Sequence, residues 1–198
     1  SDRKLLKHAS RSVRFALAAA AEAFADAGIR PEPHNAHRWG FSVGAGMMSV
    51  TLDELQTVHG FCGRDGEFNP AGLLHPQFAP DPVAFCRAQA NSGLALLTQH
   101  FGIRGYATAV HAACASGGQA LGTALKVIRR GHADCVLAGG YDSMLNPVGL
   151  TAFCLLGALS KDNEAPERAS RPFDATRNGF VLGEGAGFLI LEEWQAAR

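Results

Sequence analysis

Cys114 stands in the run Ala112-Ala113-Cys114-Ala115-Ser116-Gly117-Gly118. An apolar stretch, Ala107 to Ala113, leads into it, and a segment of helical pattern, Ala115 to Arg130, follows. A thiol placed where a strand turns into a helix has three advantages for chemistry. The helix N-terminus favours the thiolate, the free N–H groups of the first turn can hold an oxyanion, and small neighbours let a ligand approach. Two readings therefore stand side by side. Cys114 is a nucleophile at a sharp elbow, or it is a small buried apolar residue. A nucleophile also needs a base or proton donor. The histidines are His8, His34, His37, His59, His75, His100, His111 and His132. Only His132 follows Cys114, in a turn, and strand alternation puts His111 on the face opposite the sulfur. The sequence offers a nucleophile without its acid–base partners.

The other cysteines, Cys62, Cys86, Cys135 and Cys154, read as core or loop residues. Five widely spaced cysteines with no CxxC pair exclude a disulfide framework and a zinc site, and they suit a reducing, cytoplasmic setting. Two glycine clusters, Gly44-Ala45-Gly46 and Gly183-Glu184-Gly185-Ala186-Gly187, look like pieces of dinucleotide loops. Neither completes GxGxxG between a strand and a helix, so a Rossmann-type nucleotide site is not supported.

The elements that must position Cys114 follow from periodicity. Leu6, Val13, Leu17, Ala21 and Phe24 mark one face of a long first helix, with Asp2 as a possible cap and Gly28 as its end. Trp39 to Val43 reads as a short strand. Residues 47–80 read as a short helical piece followed by a Gly/Pro-rich functional loop or oligomer contact. Asp81-Pro82 opens a second helix with the apolar face Val83, Cys86, Ala90, Leu94, Leu97 and Phe101, closed by Gly102. The strand Ala107 to Ala113, the helix Ala115 to Arg130 closed by Gly131, and the strand Cys135 to Ala138 stopped by Gly139-Gly140 form a βαβ unit, so the fold class is α/β with a parallel sheet. Phe180 to Leu182 and Gly187 to Leu191 read as two strands around a tight glycine connection.

Composition narrows the function. The 198 residues carry 18 Lys+Arg and 18 Asp+Glu, with 47% hydrophobic and 18% charged residues. That charge fraction is below the roughly 25% of ordinary domains, which suggests surface covered by a partner or by further chain. With no basic surplus, general nucleic-acid binding is not expected. No apolar run is long enough for a membrane span, and the opening residues show no signal-peptide pattern.

These motifs together resemble the β-ketoacyl-acyl carrier protein synthases, the condensing enzymes of fatty-acid and polyketide synthesis. The resemblance is carried by His111 to Gly140, Phe153 to Ser160, Ser170-Arg171-Pro172-Phe173-Asp174 and Asn178-Gly179-Phe180-Val181-Leu182-Gly183-Glu184-Gly185-Ala186-Gly187. It implies a thiolase-like fold, a layered αβαβα sandwich of two similar halves, of which this chain holds mainly the N-terminal half. It implies that Cys114 is the catalytic residue. Cys114 would take an acyl chain as a thioester, and its backbone N–H would serve the oxyanion hole. Decarboxylation of malonyl-acyl carrier protein then drives a Claisen condensation. Phe153 and Gly149, and less securely Leu74, align with residues that line the acyl pocket. The implied partners are acyl carrier protein and a second copy, joined as a homodimer along Ala107 to Ala113. No cofactor and no metal are implied beyond the carrier's phosphopantetheine.

The resemblance also has departures. The family's two catalytic histidines and its lysine lie downstream of Arg198, and the first strand is expected before Ser1. Residues 1–198 are thus expected to be a partial N-terminal domain, inactive alone. Ala112 stands where Thr is usual, His111 where a small residue is usual, Tyr106 where Pro is common, and Asn178 where Asp is usual. Two alternatives remain. A thiolase-type acyltransferase shares Ala113-Cys114-Ala115-Ser116-Gly117 and Ala138-Gly139-Gly140-Tyr141-Asp142-Ser143-Met144, but it inserts a long loop domain before the last glycine cluster. The other is a non-catalytic half-domain or assembly subunit: the family's chain-length-shaping partner subunits lack the nucleophile, which Cys114 speaks against, but an inactive fragment or a subunit that completes its site with another chain would keep it.

Overall fold

The computed structural model describes residues 2–46 and 50–198. Ser1 and residues 47–49, with which the stretch read from sequence as 47–80 begins, lie outside the described residues. The elements in order are α1 (Asp2–His8), α2 (Arg11–Ala27), β1 (Trp39–Ala45), α3 (Leu52–Cys62), β2 (Gly63–Arg64), β3 (Glu67–Phe68), α4 (Pro82–Ala88), α5 (Ser92–Phe101), β4 (Ala107–Val110), α6 (Ser116–Arg129), β5 (Cys135–Ser143), α7 (Pro147–Leu155) and β6 (Glu184–Glu192). They form two compact units. Residues up to 50, 79–142 and 185–198 make the first, and residues 51–78 and 143–184 the second.

The first unit holds a four-stranded sheet in the order β4-β1-β5-β6. Strand β1 is parallel to both β4 and β5, with Phe41 opposite Ala107 and Leu137. The expected βαβ unit is therefore present, with β1 between its two strands. β6 runs antiparallel to β5. Glu193 N–H donates to the Asp134 carbonyl at one end, while Gly139 abuts Gly187 and Phe188 further along.

Alternation along β1 explains the layers. Phe41 and Val43 join Leu137, Tyr141, Leu97 and the α2 residues Val13, Ala16, Ala20 and Phe24 in one core. The opposite face of β1 carries Gly40, Ser42 and Gly44, all small. There α6 lies close, its Ser116, Ala120, Ala124 and Val127 buried at helical spacing. The Ser42 hydroxyl donates to the Ala120 carbonyl at 2.8 Å inside this contact. A helix can approach a sheet this closely only where the sheet presents no bulk.

Several expectations need correction. The first helix is two. The chain breaks at Ala9-Ser10, where Ser10 accepts from Val13 N–H and caps α2. The buried face is then Val13, Ala16, Ala20 and Phe24, while Leu6 is 41% exposed. Gly28 ends α2 in the left-handed conformation, as read. Asp81 does cap the next helix with Pro82 at its first position, but that helix too is broken. The chain leaves helical geometry at residues 89–91, and just inside α5 Gly93 lies so close to Tyr141 that a Cβ there would run into its hydroxyl. β4 ends at Val110, short of Ala113. Gly139-Gly140 does not stop β5, since Gly139 lies close against the neighbouring strand β6 and Gly140 against the head of α6. The last glycine cluster lies in or beside the single strand β6 rather than between two strands. Phe180 makes only an isolated bridge with Leu159.

The second unit resolves the difficult stretch after residue 50. Thr51 and Glu54 form a reciprocal capping box at the start of α3. Asp65 and Gly66, at φ 51° and 81°, make the tight turn of the β2–β3 hairpin. Phe61 packs against His75 and Phe78.

One pair gives a pH signature. The Arg38 guanidinium hydrogen-bonds Asp134 (Nε to Oδ2, 2.9 Å) and joins the starts of β1 and β5. That bond holds the Asp134 carboxyl below its ordinary value, against an opposing effect of burial. A lowered folded-state value means that the stabilisation is present above about pH 4, the unfolded value, and is lost as the pH falls further. Both side chains are more than a third exposed, so solvent screens the pair and its contribution is small. Asp134→Asn is expected to melt a little below the wild type at pH 7, and the gap should close below about pH 4. Thermal melts at the two pH values check this, and a gap that persists in acid would count against the pairing.

Candidate active site

Cys114 is exposed. The reading of a small buried apolar residue is therefore wrong. It lies in a short 3-10 turn, Ala113–Ala115, between the end of β4 and the start of α6. Ala113 immediately before it has φ +49°. That left-handed conformation costs a residue with a Cβ roughly 1–2 kcal/mol. The strand-to-helix elbow is thus present, and something must hold it in place.

The holding groups come from three elements. Ser116, 5% exposed and first in α6, accepts from Ala112 N–H at 2.8 Å and donates to the Ala113 carbonyl at 2.7 Å. One hydroxyl thus ties the backbone on the near side of Cys114 to the helix on its far side. Beneath the turn, Gly44 of β1 lies so close that a Cβ on it would meet Gly117 N at 2.5 Å and the Ser116 carbonyl at 2.7 Å. A Cβ on Gly140 of β5 would sit 3.3 Å from Gly117 Cα. Gly44, Gly117 and Gly140 therefore seat the N-terminus of α6 on the ends of two parallel strands. On the outer side, Ala113 and Ala115 are exposed, and Gly118 faces open space. The sulfur is supported from below and open from above, as an acyl acceptor requires.

His111 is exposed and lies beyond the end of β4, so strand alternation does not reach from it to Cys114. Among the other thiols, Cys62 is buried, and burial beside Glu192 and Asp134 pushes the Cys135 thiol up to about 11. Cys135 stays protonated and unreactive at neutral pH. Cys86 and Cys154 are exposed but have no comparable elbow beneath them.

The pocket candidates all fall in the second unit. Phe153, on α7, is half-buried edge-on against Phe180, with ring centroids 5.5 Å apart. Gly149 is buried in the first turn of α7. Its N–H donates to the Asn146 side chain at 2.9 Å, and a Cβ would strike the Met144 backbone. That close approach accounts for a glycine here without a ligand. Leu74 ends a 3-10 turn and is 85% exposed.

The motif Ser170 to Asp174 is an internal brace through Arg171. Arg171 reaches the Asp162 carboxylate at 3.1 Å, the Arg168 carbonyl at 3.1 Å and the Thr176 carbonyl at 3.0 Å. Asn178 pairs with the Ser160 hydroxyl at 2.6 Å. An aspartate would accept that same bond, so the departure at 178 keeps the contact. Among the described residues, no group of three or more His, Cys, Asp or Glu is placed to hold a metal, and no helix is long and apolar enough to cross a membrane.

Sequence reasoning found the thiol and missed its supports. Ser116 carried no distinct signal, because serine at the start of a helix is commonplace. Gly44 was visible, but only as part of an incomplete phosphate-loop pattern.

Residues 2–197 match the family described as β-ketoacyl synthase, N-terminal domain. A Streptomyces halstedii protein assigned as polyketide β-ketoacyl synthase 1 is 37% identical over 201 residues, which is all of this chain and 45% of the relative. The 3-oxoacyl-[acyl-carrier-protein] synthase 2 of Vibrio cholerae is 33% identical over 186 residues, 94% of this chain and 42% of the relative. In a solved type II polyketide synthase complex, AntDE:AntF, the acyl carrier protein is bound to its ketosynthase carrying the hexaketide. A chain of that complex superposes with a TM-score of 0.78 at 29% identity, over 94% of this chain and 44% of that one. The chain spans less than half the length of the curated relatives it matches.

Proposed function

Because the chain belongs to the β-ketoacyl synthase N-terminal domain family, with the thiolase-like fold of its structural neighbours, we propose that it carries the acyl-accepting half of a 3-oxoacyl-acyl carrier protein synthase. The observation that carries this is Cys114, exposed on a left-handed elbow at the head of α6. Its thiolate attacks the carbonyl carbon of an acyl thioester on acyl carrier protein. The carrier's sulfur leaves as a thiolate and takes up the proton that the Cys114 thiol lost on ionising, and the acyl group stays on Cys114. The Cys114 N–H and the head of α6 stabilise the oxyanion that forms on the way. Malonyl-acyl carrier protein then loses carbon dioxide, and the resulting carbanion attacks the Cys114 thioester. The product, longer by two carbons, leaves on the carrier, and the Cys114 thiolate is regenerated.

The groups that support decarboxylation are proposed to lie outside residues 1–198, in the part of the relatives that this chain does not match. In this reading Phe153, Gly149 and Leu74 line the acyl pocket. The exposed edge of β4 joins a second copy, since an edge strand leaves backbone groups free to pair. The free thiols suit a cytoplasmic setting.

The test is intact-protein and peptide mass spectrometry after incubation with acyl-acyl carrier protein. One acyl adduct is expected, on the peptide containing Cys114. An adduct on Cys86 or Cys154 instead, or none on the protein as its source produces it, would sink the proposal.

A further inference from the structure

We propose that Ser116 is a positioning residue for Cys114, acting as a clamp across the nucleophile turn; this rests on the reading of Cys114 as acyl acceptor. Its hydroxyl both accepts from Ala112 N–H and donates to the Ala113 carbonyl, at 2.8 and 2.7 Å. The two-residue segment Ala112-Ala113 is thus held at its two outer backbone groups by one buried oxygen. Ala113 lacks glycine's freedom, yet it stands at φ +49°. The turn's own backbone bonds, Ala115 N–H to the Ala112 carbonyl at 3.1 Å and Ser116 N–H to the Ala113 carbonyl, close it only on the helix side, and the hydroxyl adds the one bond to the Ala112 N–H. No side-chain cap from Ala115 holds the head of α6. The hydroxyl's single donor and one acceptor position are both spent on the turn. Ser116 therefore works by fixing where the Cys114 sulfur and N–H point, which is where small errors are costly. A displacement of about 1 Å can lower a rate about 100-fold.

The experiment measures acyl transfer to Cys114 from acyl-acyl carrier protein, at steady state and in a single turnover, in the protein as its source produces it. Ser116→Ala is expected to lower kcat about 10- to 100-fold with KM nearly unchanged. Ser116→Thr keeps the oxygen and is expected to recover most of the loss. Titration of native thiols should still count Cys86, Cys114 and Cys154 in each variant, which shows that the sulfur is present and accessible. Ala113→Gly favours the left-handed turn without the clamp, so adding it to Ser116→Ala is expected to restore part of the rate. By itself, with the clamp intact, Ala113→Gly should stay within about threefold of the wild type. That single variant carries the test if Ser116→Ala does not fold, and a loss beyond about tenfold would show that the turn is not set by Ser116. Wild-type kcat in a folded Ser116→Ala variant would overturn the clamp alone. A wild-type protein that places no acyl group on Cys114 would instead overturn the reading beneath it.

Discussion

On the proposed function, and in the protein as its source produces it, Cys114→Ala is expected to lower condensation by roughly 1,000-fold or more while leaving the fold unchanged. Both halves of that expectation come from the same observation. The thiol is exposed on an elbow, so its removal deletes no packing, and the change in stability should stay within about 0.5 kcal/mol. No other exposed cysteine shares its setting. Cys86 lies within α4 and Cys154 near the end of α7, each among helical backbone with no left-handed turn beside it. Cys86→Ala and Cys154→Ala are therefore expected to keep wild-type rates. The measurement is product formation from acyl- and malonyl-acyl carrier protein, paired with thermal melts of each variant. Retention of activity by Cys114→Ala would assign the acyl acceptor elsewhere. A large drop in its melting temperature would mean that the thiol packs against something after all.

The elements set by neighbours in sequence were legible. The Asp81-Pro82 start and the Gly28 and Gly102 stops depend on capping chemistry within one turn, and all three stand where the residues place them. The βαβ unit was legible because its period switches from two to 3.6 within one stretch. One misreading has a different cause. Gly139-Gly140 resembles a breaker in sequence, but the pair is there to admit β6 and α6. Their reason lies in chain far away, so no local pattern could distinguish a stop from a close approach. The hairpin at Asp65-Gly66 was the reverse case. Its signal was local and present, but it was obscured by the prolines and glycines that follow. Of the site itself, Cys114 was readable from the small residues around it. The left-handed Ala113 was not, because alanine is the last residue one would assign to that conformation.

Gly44 is where the fold and the chemistry meet, and Gly44→Ala is the second large effect expected. A Cβ at this position would lie 2.5 Å from Gly117 N and 2.7 Å from the Ser116 carbonyl oxygen. These are backbone atoms at the head of α6, so no rotamer change can make room. Either β1 bends or the helix lifts. β1 is buried along its whole length and hydrogen-bonded on both edges, to β4 and β5. The helix head is the softer side, and it carries Ser116 and the turn that holds Cys114. Overpacking against rigid backbone is expected to cost about 3 kcal/mol. In the molecules that remain folded, the sulfur is expected to shift and acyl transfer to fall roughly 100-fold. Gly122→Ala is the matched control. It lies in the same helix, its Cβ would meet nothing within 4 Å, and it should gain about 0.5–1 kcal/mol from helix propensity. Urea denaturation read by circular dichroism separates the two. If Gly44→Ala unfolded at the wild-type midpoint with a wild-type rate, α6 would not rest on β1 as described, and the elbow would owe its shape to Ser116 alone. A loss of rate with no loss of stability would show the reverse preference: the helix head yields freely, and its contact with Gly44 serves chiefly to aim the thiol.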